Sequence, residues 1–509
     1  MELVRKVSSQ NETVASPLDI GSINYRGYLK VPDQSPEYLS PANTTLIDQV
    51  VSVQTIQAHI NLLIRFTKRL EQNDSTLLLG YLLRAEQRYI LWLNLLDELK
   101  PKPESIPIPP LDVSVFWSAH MTNPSTYQED LIRMYGEHMM SYDFPLIRMD
   151  SEIDTESVTI WQEYSKEPYL LEYKDDRPFL IRCPFCMKDN LIEQEKFIQL
   201  KMKLGNHQCS RCEIKLDSDI LSSKRMLNDI ENYLKDERKC LAGTLLNDCT
   251  NKVDYRHAKE ENRLLFDQDI IREIIRLSST TYTGKPSPPS LYIPNIQDNC
   301  NWKVIREEII RVLYKLDSQS ELSYLRKDIH DRVISSYEHL ITPFSLDLIG
   351  TVLRYKDVVC KILMNGEDCD EEDVLNRSTI RYQKFLSLKR KHPDKGLIPT
   401  VDILNCWFIH MLHPIQYQTF TLSLVGKILN HEGPLDEKKM VEEFAKTCLL
   451  WYKNYNEPYS SDNPSKKWKK RKSRIVLSVV FPVYGLFVAQ KLWKLSKTHD
   501  KKMGNGLTI

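Results

Sequence analysis

Four cysteines in the middle of the chain have the spacing of metal ligands. Cys183-Pro-Phe-Cys186 and Cys209-Ser-Arg-Cys212 are two Cys-x2-Cys pairs separated by 22 residues. Each pair can deliver two thiolates from one tight turn, and four thiolates suit tetrahedral Zn²⁺. Because four protein ligands leave no open position, such a site stabilises a fold and does not catalyse. The spacing therefore predicts a structural zinc ribbon, with metal-free reduced cysteines or a redox pair as the alternatives.

A second set of residues with ligand chemistry occurs twice. Residues 108–128 read IPPLDVSVFWSAHMTNPSTYQ, and residues 398–418 read IPTVDILNCWFIHMLHPIQYQ. Identical residues recur at a constant offset of 290, which is the signature of a duplicated structural unit. Each copy contains one carboxylate and one imidazole among the shared positions: Asp112 and His120, and Asp402 and His410.

The duplicated aspartates and histidines allow three interpretations. On a helix, Asp112 and His120 lie along one face, with Trp117 beside them. If they are structural, Trp packs in the core, Asp caps the helix and His satisfies a buried polar group. If the two copies converge, two His and a carboxylate could hold a metal such as non-haem iron. They could also anchor a small ligand or a peptide. Arginines that recur upstream offer the aspartates ion-pair partners: Arg84, Arg88, Arg377 and Arg381.

Apolar periodicity predicts that both repeats are helical. Apolar residues recur three and four positions apart between residues 46 and 70, and a second helix is predicted to end near Leu99. Five prolines between residues 100 and 110 predict an extended connector, after which the Asp112 element forms a short helix. The predicted fold is mainly α, with two duplicated helical repeats and a small β-rich four-cysteine zinc ribbon inserted between them.

The predicted organisation of the chain follows its composition. Its parts are an N-terminal arm (1–45), helical repeat 1 (46–150), the zinc-ribbon insert (178–216), a helical connector (217–280), a linker (281–299), helical repeat 2 (300–455) and a basic and hydrophobic C-terminal tail (456–509). The linker is predicted because prolines and Gly284 concentrate there.

Composition limits the function classes. The 509 residues include 69 basic and 69 acidic side chains, so the formal net charge is zero. A balanced charge argues against a protein whose whole surface binds nucleic acid or an anionic membrane. The first residues have no apolar signal region, and the cysteines outside the set of four have no framework spacing. Both features favour a reducing compartment, and we expect the protein in the cytoplasm.

The C-terminal tail contains a basic run followed by an apolar run. Seven bases occur in residues 466–474, and residues 475–489 (IVLSVVFPVYGLFVA) carry no charge. As a helix the apolar run would span roughly 22 Å, less than the ~30 Å hydrocarbon core of a bilayer. Three interpretations are open: a packed terminal segment, a membrane-surface or tail-anchor segment at 466–497 on a cytosol-facing membrane, or a nuclear-localisation or nucleic-acid patch.

The duplicated motif also carries a family resemblance. A Pro-rich loop and Leu-Asp-x4-Trp-x2-His-Met-x2-Pro-x2-Tyr, preceded by Arg-Tyr-x3-Leu, resembles the glycine-rich domain-containing protein-like family of plants and fungi. The resemblance covers roughly residues 45–145 and 335–430. It implies a mostly helical domain of unestablished biochemistry, with some plant members linked to stress signalling and RNA association.

Two departures from the family pattern bear on the site. The family's Trp-His-x-His has lost its first His, which is Ser118 in one copy and Phe408 in the other, and the glycine-rich tail is missing. The loss weakens a ligand role for His120 and His410. We therefore expect a non-enzymatic, zinc-stabilised interaction or scaffold protein with a protein partner. The alternatives are a metal-dependent enzyme that uses the duplicated Asp/His set, and an RNA- or DNA-binding protein that uses the ribbon and the basic tail.

Overall fold

The computed structural model describes most of the chain between residues 39 and 459. The described residues are 39–70, 75–151, 154–175, 177–265, 302, 321–355, 372–430 and 437–459. Most of the predicted arm, the predicted linker and nearly all of the predicted tail, including the apolar run 475–489, lie outside the described residues.

Repeat 1 consists of helices joined by short turns. They are α1 (Pro41–Asp48), α2 (Val53–Leu70), α3 (Ser75–Leu99), α4 (Leu111–Met121), α5 (Pro124–Met134), α6 (Leu146–Asp150) and α7 (Thr155–Ser165), with 3-10 turns at Pro103–Ser105 and Glu137–Ser141. Prolines define the boundaries: Pro110 precedes α4, and Pro124 occupies the first turn of α5, where the missing N–H costs no helical hydrogen bond.

The ribbon and the connector follow repeat 1. Their elements are β1 (Phe179–Arg182), β2 (Asp189–Ile192), α8 (Gln194–Lys201), β3 (His207–Gln208), β4 (Lys215–Leu216), α9 (Ser218–Lys235) and α10 (Tyr255–Leu265). β1 pairs antiparallel with β2, and β3 pairs antiparallel with β4, so each cysteine pair lies at the turn of a hairpin. The connector helices form a separate apolar cluster with helix α11 (Glu321–Tyr337).

Repeat 2 reproduces the order of repeat 1. After helical residues 348–355 come α12 (Glu372–Lys391), α13 (Val401–Met411), α14 (Pro414–Val425) and α15 (Glu437–Tyr455). The bounds of α13 lie 290 residues after those of α4, and α14 begins 290 residues after α5. The prediction of a mainly α fold with two duplicated repeats and a small β-rich insert is confirmed.

The two repeats are interleaved. α2 packs against α6 of its own repeat and also against α12 and α13 of repeat 2. Reciprocally, Phe344, which precedes the long helix of repeat 2, stacks on Tyr89 of repeat 1 with ring centroids 5.4 Å apart. His59 of α2 contacts Asn405 Oδ1 and the Tyr355 hydroxyl, each at 2.7 Å. Each repeat therefore completes the core of the other, and the ribbon joins the same apolar cluster.

Within the part of the chain that the structure describes, no helix combines the length and the apolarity needed to cross a membrane.

Candidate metal centre and the duplicated polar cluster

Both Cys-x2-Cys pairs fold as the same tight turn. The Cys183 N–H donates to the Lys188 carbonyl at 2.8 Å, and the Met187 N–H donates back to the Cys183 carbonyl at 2.9 Å. Cys209 makes the equivalent two bonds in the second hairpin, at 2.9 and 3.0 Å. Met187 and Glu213 occupy the same place in the two turns, and both are left-handed, with φ of 59° and 61°. The repeated geometry directs both thiols of each pair to one side.

The two turns bring the four thiols together. The Sγ atoms of Cys183 and Cys212 are 3.6 Å apart, as are those of Cys186 and Cys209, and all four lie within 4.8 Å of one another. A tetrahedron with metal–sulfur bonds of about 2.3 Å has edges of about 3.8 Å. The predicted cysteines thus form one cluster, with the donor set and the separations that a tetrahedral metal ion needs.

A buried asparagine links the two turns. Asn190 Nδ2 on β2 donates to the Lys188 carbonyl at 2.9 Å and lies 3.7 Å from Cys209 Sγ. Its Oδ1 accepts the Ser210 N–H at 2.9 Å. Contacts of this kind orient the atoms that hold a metal and tune their basicity. Asn190 therefore fixes the second turn relative to the first.

Backbone donors favour the thiolate form at Cys209. Burial opposes its ionisation, but hydrogen bonds from the N–H groups of Cys212 and Arg211 and from the Cys186 and Cys212 thiols together lower the pKa of the Cys209 thiol to about 6. Burial raises the pKa of the Cys183 and Cys212 thiols, so the ionised form is favoured at Cys209 and not at these two. The thiolate is the form of cysteine that binds metals.

The ribbon is seated on α3 of repeat 1. Lys201 Nζ on α8 lies 2.7 Å from the Glu86 carboxylate on α3, and both side chains are buried. The Arg84 guanidinium lies 4.0 Å from the centroid of the Phe179 ring on β1, and Phe179 stacks on Phe197 of α8 at 4.4 Å. These contacts fix the ribbon to the helix that carries the duplicated Arg-Tyr pair.

The outer face of the first hairpin is exposed and carries two leucines beside the Arg182–Asp189 ion pair. Leu180 and Leu191 are cross-strand partners, and their exposed fractions are 54% and 68%. Met187, at the turn between the strands, is 63% exposed. Alternation along β1 and β2 buries Phe179 and Ile192 on the inner face, so the leucines cannot contribute to the core from their positions.

Each duplicated aspartate pairs with an arginine of its own repeat. Arg88 Nε donates to Asp112 Oδ2 at 2.7 Å, and Arg381 Nε donates to Asp402 Oδ2 at 2.6 Å. Burial raises the pKa of Asp112, although Arg88 opposes the shift. Burial also opposes ionisation of Asp402, but Arg381 and Thr400 hold the pKa of Asp402 below its ordinary value.

Each duplicated histidine contacts a tyrosine of its own repeat. The Tyr89 hydroxyl lies 3.0 Å from His120 Nδ1, and the Tyr382 hydroxyl lies 2.9 Å from His410 Nδ1. Both histidines are buried. Burial lowers the pKa of His410 to about 3, so its imidazole is neutral at physiological pH.

The tryptophans complete the matching contacts. Trp117 Nε1 donates to the Tyr127 hydroxyl at 3.0 Å, and Trp407 Nε1 donates to the Tyr417 hydroxyl at 2.7 Å. Both indoles are buried. The Arg–Asp, Tyr–His and Trp–Tyr contacts of the duplicated motif therefore occur in both repeats.

The duplicated unit continues beyond the motif found from sequence. Trp-x5-Glu-Pro-Tyr occurs at residues 161–169 and again at 451–459, at the same offset of 290. The Tyr169 hydroxyl donates to the Ile108 carbonyl at 2.9 Å, and Tyr459 makes the same bond, at 2.8 Å, to the Ile that opens the second copy. The constant offset was a signal that could have revealed this motif.

This additional motif packs over the ion pairs. The Arg88 guanidinium lies 4.8 Å from the centroid of the Trp161 ring, and the Arg381 guanidinium lies 5.2 Å from that of Trp451. A cation over an indole face is attracted by the ring quadrupole. Each arginine therefore has an aspartate and a tryptophan as partners.

The duplicated set does not meet at one point. Among the described residues, two groups bring three or more potential ligand atoms together: the four cysteines, and Asp248 with His257 and Glu261. In the second group Arg332 contacts Asp248 at 3.1 Å and also pairs with Glu261, so a cation of the protein already bridges the two carboxylates.

Comparison with known proteins identifies the helical repeats. Residues 62–130 and 295–420 match the glycine-rich domain-containing protein-like family. The two repeats of this chain are similar to this family. Each matched segment includes one copy of the duplicated cluster, whereas the four cysteines lie outside both segments.

Relatives of the family are known from Arabidopsis thaliana. Over 186 residues the chain is 25% identical to glycine-rich domain-containing protein 1 and 28% identical to glycine-rich domain-containing protein 2. Each alignment covers 35% of this chain, and the aligned part spans 22% and 23% of the two relatives, less than a quarter of their length. No solved structure matches the chain.

Proposed function

We propose that this chain is a non-enzymatic interaction protein in which a zinc-stabilised ribbon presents an apolar surface to a protein partner. The observation that carries the proposal is the outer face of the first hairpin, where Leu180 and Leu191 lie opposite each other and exposed. Single exposed leucines are common on soluble proteins, but adjoining exposed apolar residues on a rigid element are a feature of binding surfaces. The partner would contribute an apolar surface of its own.

Zinc would make the ribbon rigid. Strands of four and two residues are too short for independent stability, so the hairpins need another source of order. Cys183, Cys186, Cys209 and Cys212 would hold the ion, which when bound supplies the free energy that orders the hairpins.

The duplicated polar cluster supports a structural role for the repeats. Asp112 and Asp402 face arginines, and His120 and His410 present Nδ1 to tyrosines, all inside their own repeat. These contacts are of the kind that satisfy buried polar groups. The repeats would thus serve as the scaffold that carries the ribbon.

Metal analysis of the purified full-length protein tests the zinc component. We expect one zinc per chain by elemental mass spectrometry, and loss of that zinc in a Cys183→Ser/Cys209→Ser variant. Stoichiometric zinc in the double variant would refute the assignment. A second, redox-active metal that disappears in His120→Gln with all four cysteines intact would instead favour the enzyme alternative.

Paired variants test the partner surface. Leu180→Ser/Leu191→Ser changes the exposed face and leaves the buried face of the hairpin intact; Leu449→Ser removes an equally exposed leucine on α15 and serves as the control. A partner enriched with the parent and the control should be lost with the double variant, and should bind the purified parent directly. Enrichment that is unchanged in the double variant would contradict the proposal. A steeply salt-dependent affinity for RNA would favour the nucleic-acid alternative.

A further inference from the structure

The backbone of the first hairpin directs unpaired groups toward its edges. Beside the turn, the Cys183 N–H donates to the Lys188 carbonyl at 2.8 Å. Along an antiparallel pair of strands, residue pairs that exchange hydrogen bonds alternate with pairs that exchange none. Counted from Cys183 and Lys188, the cross-strand partners Leu180 and Leu191 form a pair that exchanges none. The N–H and carbonyl of each leucine therefore point away from the other strand.

The edge of β2 offers two residues of this kind. Asp189 lies two positions before Leu191, so its N–H and carbonyl point to the same edge. In the part of the chain that the structure describes, no hydrogen bond from outside the hairpin reaches the backbone of either residue. An open strand edge is a template for another strand, which binds through its main chain. The edge of β2 can therefore accept one short extended segment.

The side chains at this edge define the sequence of such a segment. Leu191 is 68% exposed, the highest value among the large apolar side chains that the structure describes. Asp189 pairs with Arg182 at 2.8 Å, and its side chain is still 42% exposed. A strand that pairs antiparallel with β2 places one residue beside Leu191 and, two residues later, one beside Asp189 on the same face. The matching sequence is an apolar residue, any residue, and a base.

A second copy of the chain fits this edge poorly. If two copies paired Leu191 with Leu191, Asp189 of each copy would lie opposite Glu193 of the other. Like charges directly opposite each other destabilise a sheet. The next register that uses the same backbone groups sets Leu191 opposite Asp189. Both registers therefore favour a different protein as the partner.

We propose that the edge of β2 binds an extended segment of the partner protein, of sequence apolar-x-basic, as an added antiparallel strand. Leu191 contacts the apolar residue, Asp189 attracts the base, and the main-chain groups of both residues pair with the segment. This role of β2 rests on the proposed function, because it uses the same exposed face of the ribbon, and it adds main-chain pairing as the means of recognition.

Three synthetic peptides test the added strand with the purified full-length protein. The probe is fluorescein-labelled Thr-Val-Thr-Ile-Thr-Lys-Thr, in which Ile would lie beside Leu191 and Lys beside Asp189. N-methylation of the Ile nitrogen removes a donor that faces β2, whereas N-methylation of the next Thr nitrogen removes one that faces away. Anisotropy titrations should show that the probe binds, that Ile methylation weakens binding by about tenfold or more, and that Thr methylation leaves the affinity unchanged.

The outcomes separate the added strand from the proposed function. Equal affinities of the three peptides would show that side chains bind without strand pairing, which overturns the added strand and leaves the apolar partner surface intact. Failure of the probe to bind, or equal weakening by both methyl groups, would also overturn the added strand. The proposed function fails by a different result, an unchanged partner enrichment in Leu180→Ser/Leu191→Ser.

Two proline variants identify the edge. Proline at an edge position removes a donor that faces solvent, so Leu191→Pro and Leu180→Pro both keep the hydrogen bonds between β1 and β2. Leu191→Pro should weaken binding of the probe by about tenfold or more, and Leu180→Pro, the matched change at the other edge, should retain most of it. Circular dichroism verifies the fold of each variant. Equal binding by the two folded variants would contradict binding at β2; if Leu191→Pro does not fold, the methylated peptides decide.

Discussion

The two repeats share the Nε–Oδ2 bond of their arginine–aspartate pairs but hold the pairs at different depths. In repeat 1 the Arg88 and Asp112 side chains are 1% and 3% exposed, and in repeat 2 the Arg381 and Asp402 side chains are 18% and 33% exposed. The Nε to Oδ2 distances are nonetheless almost equal. Burial depends on what covers each repeat, whereas the bond follows from the fold of the repeat itself.

The environments of the two histidines differ in charge. His120 Nε2 lies 3.4 Å from Asp130 Oδ2, but the position equivalent to Asp130 is Phe420, whose ring lies 5.0 Å from that of His410. Burial would raise the pKa of Asp130, but His120 and Arg133 outweigh burial and lower it.

The difference reflects what each repeat receives from the other. The Asp130 carboxylate also accepts the N–H of Ser345, at 2.8 Å, and Ser345 belongs to the segment that repeat 2 contributes to repeat 1. Duplication thus preserved the internal framework, and the polar residues changed where the repeats meet different neighbours.

Removal of either core tryptophan should have the largest effect. Trp117→Ala and Trp407→Ala should each lower the free energy of unfolding by about 3–5 kcal/mol, because both indoles are buried. Urea denaturation measures the change, and Leu449→Ala on the surface is the control. If the two variants unfold like the parent, the tryptophans do not pack as core residues.

Removal of the aspartates should distinguish the repeats. Asp112→Ala leaves a buried guanidinium without its carboxylate and should cost about 3–5 kcal/mol. Asp402→Ala should cost about 1 kcal/mol, since its ion pair is partly exposed and such pairs contribute little. If urea denaturation shows that both variants lose the same free energy of unfolding, the burial of the ion pair does not determine how much it stabilises the fold.

Removal of either histidine contact should cost less than removal of Asp112. His120→Gln and His410→Gln should each lower stability by about 1–3 kcal/mol, because the tyrosine hydroxyl loses its buried partner. Metal content should stay at the parent value in both variants, and the losses should add in the double variant. A double variant that loses no more than one single variant would reveal a shared site.

The last prediction concerns pH. The pKa of His410 falls from 6.5 to about 3 on folding, so the unfolded chain binds more protons between these values. Above pH 6.5 His410 is neutral in both states and the free energy of unfolding does not depend on its titration. Below pH 6.5 the free energy of unfolding falls by about 1.4 kcal/mol per pH unit, until the pH approaches 3. Phe420→Asp should raise the pKa of His410 and flatten this dependence, measured by urea denaturation at pH 7 and pH 5.

His410→Leu is the matched control, because it removes the titrating group and should flatten the curve in the same window. His59, whose pKa burial lowers to about 4, titrates in a similar window and stays intact in all three proteins. If the free energy of unfolding changes equally between pH 7 and pH 5 in the parent and in both variants, His410 is not buried and neutral.

Sequence reasoning was strongest where spacing is local. The Cys-x2-Cys spacing predicted the cluster of four thiols, because each pair lies within one turn. Helix α4 and its copy α13 were predictable from the helical spacing of their motif residues and from the prolines that lie before and after them. The partner of each aspartate was one of several alternatives, and the structure selected Arg88 and Arg381 over Arg84 and Arg377.

Interleaving could not be predicted from the same patterns. An apolar stripe shows that α2 has a buried face but not which repeat covers it, and two copies of one unit offer similar surfaces. His59 illustrates the limit, because its partners Asn405 and Tyr355 lie 346 and 296 residues away along the chain and no local pattern connects them.

Interleaved repeats also impose an order of events on synthesis. Tyr89 and His120 leave the ribosome long before Phe344, the ring that packs on both of them. At about 5–20 residues per second, the roughly 220 intervening residues take on the order of 10–45 s to translate. For that interval the nascent chain exposes an aromatic surface that the finished protein buries. We therefore expect repeat 1 to depend on chaperones until repeat 2 has been translated.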